Sequence, residues 1–538
     1  MIHAEVERYI ARLPDNPALA ELFRRYGINF RWFAVFTIVT GNIAAVLSGT
    51  IINVAIPDIM GAFGISQSDA QWLSTANLAA STVAMLASAW LVKRTGLRGT
   101  VIVSMMLFLA GSLLGGLAAN TDVMIVSRIM QGITAGLLTP LSMTIIFQVF
   151  PQGKQGLAMG VSAVGIILAP AVGPAVGGIL IDSFNWRYVF YLGIPFSLLT
   201  VAGASIFLPS RQHLGRAPFD WHGMVLLSIA ITALLVGLSH GEREGWSSDY
   251  ILSCFALTAT LGTAFVHWEL RCPHPLLDLA LFAERNFLIM SINGFVFGAG
   301  LYASTYLLPL FLQLVQGLTA TTSGVLMIPG GFAMLLIFPI AGRLADRADH
   351  RILISCGIGF FALSFWLLSG ADSHTGFWSI AWWIVISRIG LGLVMPALQM
   401  GALSHIEVSR LTQASGSFNF IRQLGGAFGV NLMSIALDRR TNVHADYMLS
   451  TQTFGNSDTL SILGQLSGFS QAMGFSGTDQ WNAARALLQQ MLQREALAAG
   501  FRDSFVIVAI AFLLALIPTL ALRKRKPASS TRPVPVAS

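Results

Sequence analysis

Apolar residues run along this chain in long blocks, separated by short polar stretches rich in Arg and Lys. A block of about 20 apolar residues is long enough to span a bilayer as a helix. About 14 such blocks are predicted, the first centred near Val39 and the last near Phe512. One of them, Leu157 to Ile181, contains the run APAVGPAVGG from Ala169 to Gly178. Prolines and glycines at this density break a soluble helix. A bilayer helix tolerates them, because neighbouring helices re-satisfy the freed backbone groups. Its small residues also let a second helix approach closely.

Composition supports the pattern. Hydrophobic residues make up 54% of the chain and charged residues 11%, against about 25% charged in a soluble domain. The fold class is therefore an all-α polytopic membrane protein. The first thirty residues are polar and lack an apolar core, so no cleavable signal is expected. The net charge of +7 is no signal of nucleic-acid binding, because its cations sit in loops. Cys254, Cys272 and Cys356 are scattered, without metal or disulfide spacing. No G-x-x-x-x-G-K-[ST] phosphate loop occurs, so ATP is not the expected energy source.

The short loops set the expected orientation. Arg24, Arg25, Lys93, Arg94, Arg98, Lys154, Arg343, Arg347 and Arg351 fall on one set of helix ends. The alternate loops hold little beyond Arg187 and Arg243. Both termini are then cytoplasmic. The chain also repeats itself: IVSRIMQG at Ile125–Gly132 is echoed by VISRIGLG at Val385–Gly392, and LVKRTGLR at Leu91–Arg98 by LADRADHR at Leu344–Arg351. The expected organisation is an N-terminal segment 1–31, a six-helix half 32–208, two inserted helices with linkers 209–286, a second six-helix half 287–522, and a basic tail 523–538. Between the last two spans lies an outer loop, 438–502, in which Trp481 to Leu497 reads as an amphipathic helix. Two related halves frame a central cavity, exposed alternately to each side as one half rocks against the other.

Several motifs carry a resemblance. Pro170, Gly173, Pro174, Gly177 and Gly178 are similar to the antiporter motif on the fifth span of major facilitator exporters. Arg128, Gln131, Gly132 and Gly136 resemble the R-x-x-Q-G-x-x-x-G motif of the fourth span, and Trp186-Arg187-Tyr188 the entry to the sixth. Gly342-Arg343-Leu344-Ala345-Asp346-Arg347 through Arg351 resembles the loop motif, of which the stretch around Arg94 is a copy with Lys93 in place of the acid. Trp268-Glu269 and Arg422-Gln423-Leu424-Gly425-Gly426 match further stretches. The chain thus resembles the fourteen-span drug:proton antiporters of the major facilitator superfamily, most closely the Emr-type multidrug exporters. The resemblance implies proton-coupled efflux of amphipathic compounds across the bacterial inner membrane. It also implies a periplasmic adaptor (a membrane fusion protein) and an outer-membrane channel as partners. A cytoplasmic gate formed by Gly342, Asp346, Arg347, Arg351 and Arg94 is expected from the same motif. A same-fold exporter or flippase for one lipid or metabolite is the alternative.

The chain departs from the family at Ser48, where the first-span pattern has an acid. No other acid falls in the middle of a span; Asp58, Asp69 and Asp182 lie near outer ends. Arg128, Arg388 and Arg422 do fall mid-span. Each costs about 2.5–3.5 kcal/mol to insert at a helix centre, so each should face a cavity or a partner group. With Gln131, Gln423, Ser48, Asn53, Asn77 and Asp182 they make up the expected substrate and proton pathway. A missing acid and three intramembrane cations predict a preference for anionic or neutral cargo. No cofactor or metal is expected, and no His/Asp or metal cluster suggests an enzyme.

Overall fold

The computed structural model describes residues 6–522, apart from 8, 11–16, 66, 152, 210–217, 405, 451 and 453–456. Inside its helices it leaves undescribed the side chains at 53–54, 57, 67–69, 71, 164–172, 174–175, 182, 242–243, 320–321, 408 and 457–458. Every described element is helical: α1 (Pro17–Tyr26), α2 (Phe30–Phe63), α3 (Gln67–Gly116), α4 (Thr121–Val149), α5 (Gln155–Ser183), α6 (Tyr188–Tyr191), α7 (Gly193–Phe207), α8 (Trp221–Glu244), α9 (Asp249–Glu269), α10 (Arg285–Leu314), α11 (Ala320–Arg347), α12 (His350–Leu368), α13 (Phe377–Leu403), α14 (Leu411–Ser450), α15 (Ser457–Ala472), α16 (Thr478–Leu514) and α17 (Leu516–Leu520). Among the described residues, twelve helices are long and apolar enough to cross a membrane.

Two features of α3 and α5 bear on the number of crossings. Helix α3 runs for 50 residues but turns at Gly96, whose φ of 75° and ψ of 170° interrupt the helix. Glycine adopts that conformation without a Cβ clash. Helix α5 continues unbroken through the run that contains Pro170 and Pro174.

Small residues position the helices. A Cβ at Gly132 would lie 2.4 Å from the Asn77 carbonyl oxygen, and one at Gly136 2.1 Å from that of Ser81. In the second half, Gly425 and Gly429 meet the Phe295 and Ala299 carbonyl oxygens at 2.1 and 2.3 Å in the same way. These G-x-x-x-G faces bring α4 onto α3 and α14 onto α10 at backbone distance. Side-chain caps fix several helix starts: Asn120 accepts from Val123 N at 3.0 Å, and Asp220 from Gly223 N at 2.9 Å.

The stretch 438–502 is not an irregular loop. The 40-residue α14 and the 37-residue α16 continue well past the apolar blocks, with α15 between them. Asp503 joins the two extensions, 2.9 Å from His444 Nε2 and 3.5 Å from Arg440 Nε. The amphipathic stretch is part of α16: Ala484 and Leu488 are buried, whereas Trp481 and Met491 are about half exposed.

Candidate functional site

Arg128 is 1% exposed and lies at the centre of a polar network in the first half. Its Nε donates to the Leu73 carbonyl oxygen at 3.0 Å. One terminal nitrogen, Nη1, donates to the Ser48 carbonyl oxygen at 3.1 Å, to Ser48 Oγ at 3.2 Å and to Gln131 Oε1 at 2.8 Å. Ser48 Oγ donates to the same Gln131 oxygen at 2.8 Å, and Gln131 Nε2 donates to Ser112 Oγ at 3.1 Å. Asn77 Nδ2 reaches the Arg128 carbonyl oxygen at 3.0 Å. Four expected pathway residues on three helices are thereby brought together. Among the described residues no acid pairs with Arg128, and its Nη2 has no hydrogen-bond partner. A guanidinium cannot shed its proton to escape burial, so the network holds a positive charge with no counter-ion among the described residues.

The second half repeats the arrangement in weaker form. Arg388 Nη1 lies 3.4 Å from Ser304 Oγ on α10. Arg422 is held separately: its Nη2 donates to Asn419 Oδ1 at 3.1 Å, and its Nε is buried without a partner. No described contact joins the three arginines to one another. Gln423 bridges the halves, its Nε2 donating to Ser81 Oγ at 3.2 Å. The side chains of Asn53 and Asp182 lie outside the described residues.

Beside Gln423 lies a cavity of about 300 Å³, lined by Leu78, Ser239, Tyr302, Tyr306, Asn431 and Ser434 among others. Tyr302 OH contacts Gln423 Oε1 at 3.5 Å, and Tyr306 OH lies 3.1 Å from Ser434 Oγ. The tyrosines escaped the sequence reading. Their i, i+4 spacing on an apolar helix, with a phenol that needs a partner when buried, is the signal that could have found them.

The antiporter motif packs α5 onto α2. A Cβ at Gly173 would lie 3.0 Å from Thr50 Oγ1, and one at Gly177 2.5 Å from Ile51 Cγ1. Gly178 faces open space. The side chains of Pro170 and Pro174 lie outside the described residues.

At the helix ends that carry the basic loops, the two halves touch. Gly342 and Gly156 approach so closely that a Cβ on Gly342 would lie 2.2 Å from the Gly156 carbonyl oxygen. Asp346 accepts from Gly156 N at 2.8 Å and from Leu157 N at 3.1 Å. Its carboxylate thus sits at the N-terminus of α5, where exposed N–H groups favour negative charge. Arg347 is exposed and adjacent in sequence; helix neighbours at i, i+1 do not face one another. Arg351 donates to the Leu520 carbonyl oxygen, and Arg94 lies 5.4 Å from the Trp90 ring centroid. Deeper contacts continue the seam, with Thr144 to Thr412 at 3.1 Å and Ser415 Oγ to the Pro140 carbonyl oxygen at 3.2 Å. The described hydrogen bonds between the halves extend from this basic face to Ser81–Gln423 and no further.

Comparison with known proteins agrees with this geometry. The multidrug export protein EmrB of Haemophilus influenzae is 30% identical over 475 residues, covering 88% of this chain and 92% of that protein. The fatty acid resistance protein FarB of Neisseria gonorrhoeae is 30% identical over 402 residues, covering 74% of this chain and 79% of its own length. Among solved structures, the proton:xylose symporter XylE superposes with a TM-score of 0.60 at 13% identity, covering 93% of this chain and 97% of that one. That likeness carries the fold alone. A family profile described as Major Facilitator Superfamily matches residues 38–430. With its helical build, its repeated arginine motif and this match, the chain belongs to the major facilitator superfamily.

Proposed function

We propose that this chain is a proton-driven exporter that moves anionic or neutral lipophilic compounds out across the bacterial inner membrane by alternating access. Similarity to EmrB and FarB supports export of amphipathic molecules. The observation that carries the charge preference is Arg128, buried against Ser48 with no acid beside it among the described residues. A fixed positive charge within the first half would repel a permanent cation passing it and favour a carboxylate or phenolate. Moving one charge down about 100 mV releases about 2.3 kcal/mol, enough to sustain a useful concentration gradient.

The reading includes fourteen crossings, two six-helix halves at 32–208 and 287–522, and an inserted pair. The turn in α3 and the unbroken α5 support that count. With both termini cytoplasmic, described inter-half hydrogen bonds that run from the basic face to Ser81–Gln423 suit a state closed on the inner side. The extensions of α14 and α16 and the α15 segment between them, with exposed Tyr447, Phe469, Met473 and Trp481, suit contact with a periplasmic adaptor that leads to an outer-membrane channel.

Uptake into inverted vesicles tests the reading. Acidic uncouplers and fatty acids should accumulate when a pH gradient is imposed, and collapse of the gradient should abolish the uptake. Accumulation of quaternary ammonium dyes alone would contradict it.

A further inference from the structure

Asp220 and Glu269 lie 7% and 4% exposed at the basic-face ends of the inserted helices α8 and α9. Each carboxylate has one satisfied oxygen. Asp220 Oδ1 accepts from Gly223 N at 2.9 Å and from Trp268 Nε1 at 2.8 Å; Glu269 Oε2 accepts from Leu277 N at 3.4 Å. The other two oxygens, Asp220 Oδ2 and Glu269 Oε1, are buried without a hydrogen-bond partner. They converge on one point. A Cβ at Gly223 would lie 2.2 Å from the first and 2.9 Å from the second. Among the described residues no cation pairs with either acid.

Two buried carboxylates whose free oxygens lie against the same glycine, with no described cation paired to either, disfavour carrying two negative charges together. One proton placed between them gives each orphan oxygen a partner. We propose that Asp220 and Glu269 form a one-proton site, a carboxylic acid hydrogen-bonded to a carboxylate. The proton comes from water, and the pair goes from two negative charges to one. Access is available through a cavity of about 380 Å³ that Asp220 lines together with Trp90, Lys93, His274, Arg410 and Gln413. That cavity touches both halves and the inserted pair, so the site senses the junction of all three.

The surrounding charges do not neutralise the pair. Lys93 is exposed, lines the same cavity and forms no described ion pair, and Arg410 is bonded to Asp278. His222 lies against the Trp268 ring, 4.8 Å between centroids. The Cys272 thiol hydrogen-bonds Asp220 and adds no positive charge, and Asp278 and His274 line the same cavity. The inference stands whether or not the chain exports anions.

Infrared spectroscopy of the full-length protein in lipid nanodiscs tests it. At about pH 7 a protonated-carboxyl stretch should be present. Asp220→Asn and Glu269→Gln should each remove it, and Asp372→Asn should leave it unchanged. Gly223→Ala, which forces a methyl between the oxygens while keeping both acids, should shift the band or its titration midpoint. Absence of the band in the native protein would overturn the proposal. So would a band unchanged in Asp220→Asn, Glu269→Gln and Gly223→Ala. Should a variant fail to fold, the native titration and the remaining variants decide.

Discussion

Ser48 Oγ lies 3.2 Å from Arg128 Nη1, and the same guanidinium nitrogen holds the Ser48 carbonyl oxygen at 3.1 Å. A carboxylate at position 48 would reach the one arginine nitrogen that already bonds Gln131. With a hydroxyl there, position 48 supplies this buried cation with a hydrogen-bond acceptor and no counter-ion. Arg128→Lys keeps the charge but loses the planar fork that serves Leu73, Ser48 and Gln131 together. It should lower the transport rate at least about tenfold and cost about 1–3 kcal/mol of stability, the scale of buried acceptors left unsatisfied. Parallel efflux assays and thermal melts check both numbers.

The contact of Asp346 with the start of α5 should hold the basic face shut. Asp346→Ala leaves the Gly156 and Leu157 N–H groups without their acceptor. It removes a helix-terminus charge contact of about 0.3–1 kcal/mol, up to ~2 in a partly buried setting. Spin labels at Lys154→Cys and Arg343→Cys, in a background without the native cysteines, should then show a larger population at long separation. An unchanged distance distribution would remove the gate role from Asp346.

Neighbouring glycines of the antiporter motif should behave differently. Gly177→Ala drives a methyl to 2.5 Å from Ile51 Cγ1, whereas Gly178→Ala meets nothing within 4 Å. Overpacking at the first costs about 1–3 kcal/mol. The second should be neutral or stabilising by up to about 1 kcal/mol, since alanine favours helix over glycine. Thermal melts of the two variants in one detergent compare them directly.

Gln423 ties the halves through Ser81, and Tyr302 contacts its other end. Gln423→Leu should break the tie at mid-membrane and raise the rate of switching, with little loss of fold. Tyr302→Phe should leave switching alone and change cargo affinity, because its phenol faces the 300 Å³ cavity. Switching rates from single-molecule distance changes and affinities from tryptophan quenching separate the two effects.

Much of this was readable in the residues. Twenty-residue apolar blocks announce helices, and the repeated SRI of Ile125–Gly132 and Val385–Gly392 announces two related halves. Arg128 and Gln131 stand three apart on one helix, so their meeting follows from helical geometry. The Ser48–Arg128 contact does not follow. Periodicity tells which face of a helix is polar but not which helix crosses it, and at what height. The described hydrogen bonds of Asp346 go to backbone N–H groups, which carry no sequence signature. Asp220 and Glu269 stand 49 positions apart, and nothing in the sequence pattern pairs them. Only the close packing of α8 on α9 around Gly223 sets them face to face.

The central claim is that the hydroxyl at position 48, beside an Arg128 with no acid paired to it among the described residues, sets the charge of the cargo. The most direct test compares the native chain with Ser48→Asp in inverted vesicles under one imposed pH gradient, each offered a fatty acid and a quaternary ammonium dye. The account predicts fatty-acid uptake by the native chain, and a gain of dye uptake with a loss of fatty-acid uptake in Ser48→Asp. Equal cargo profiles in the two proteins would contradict it.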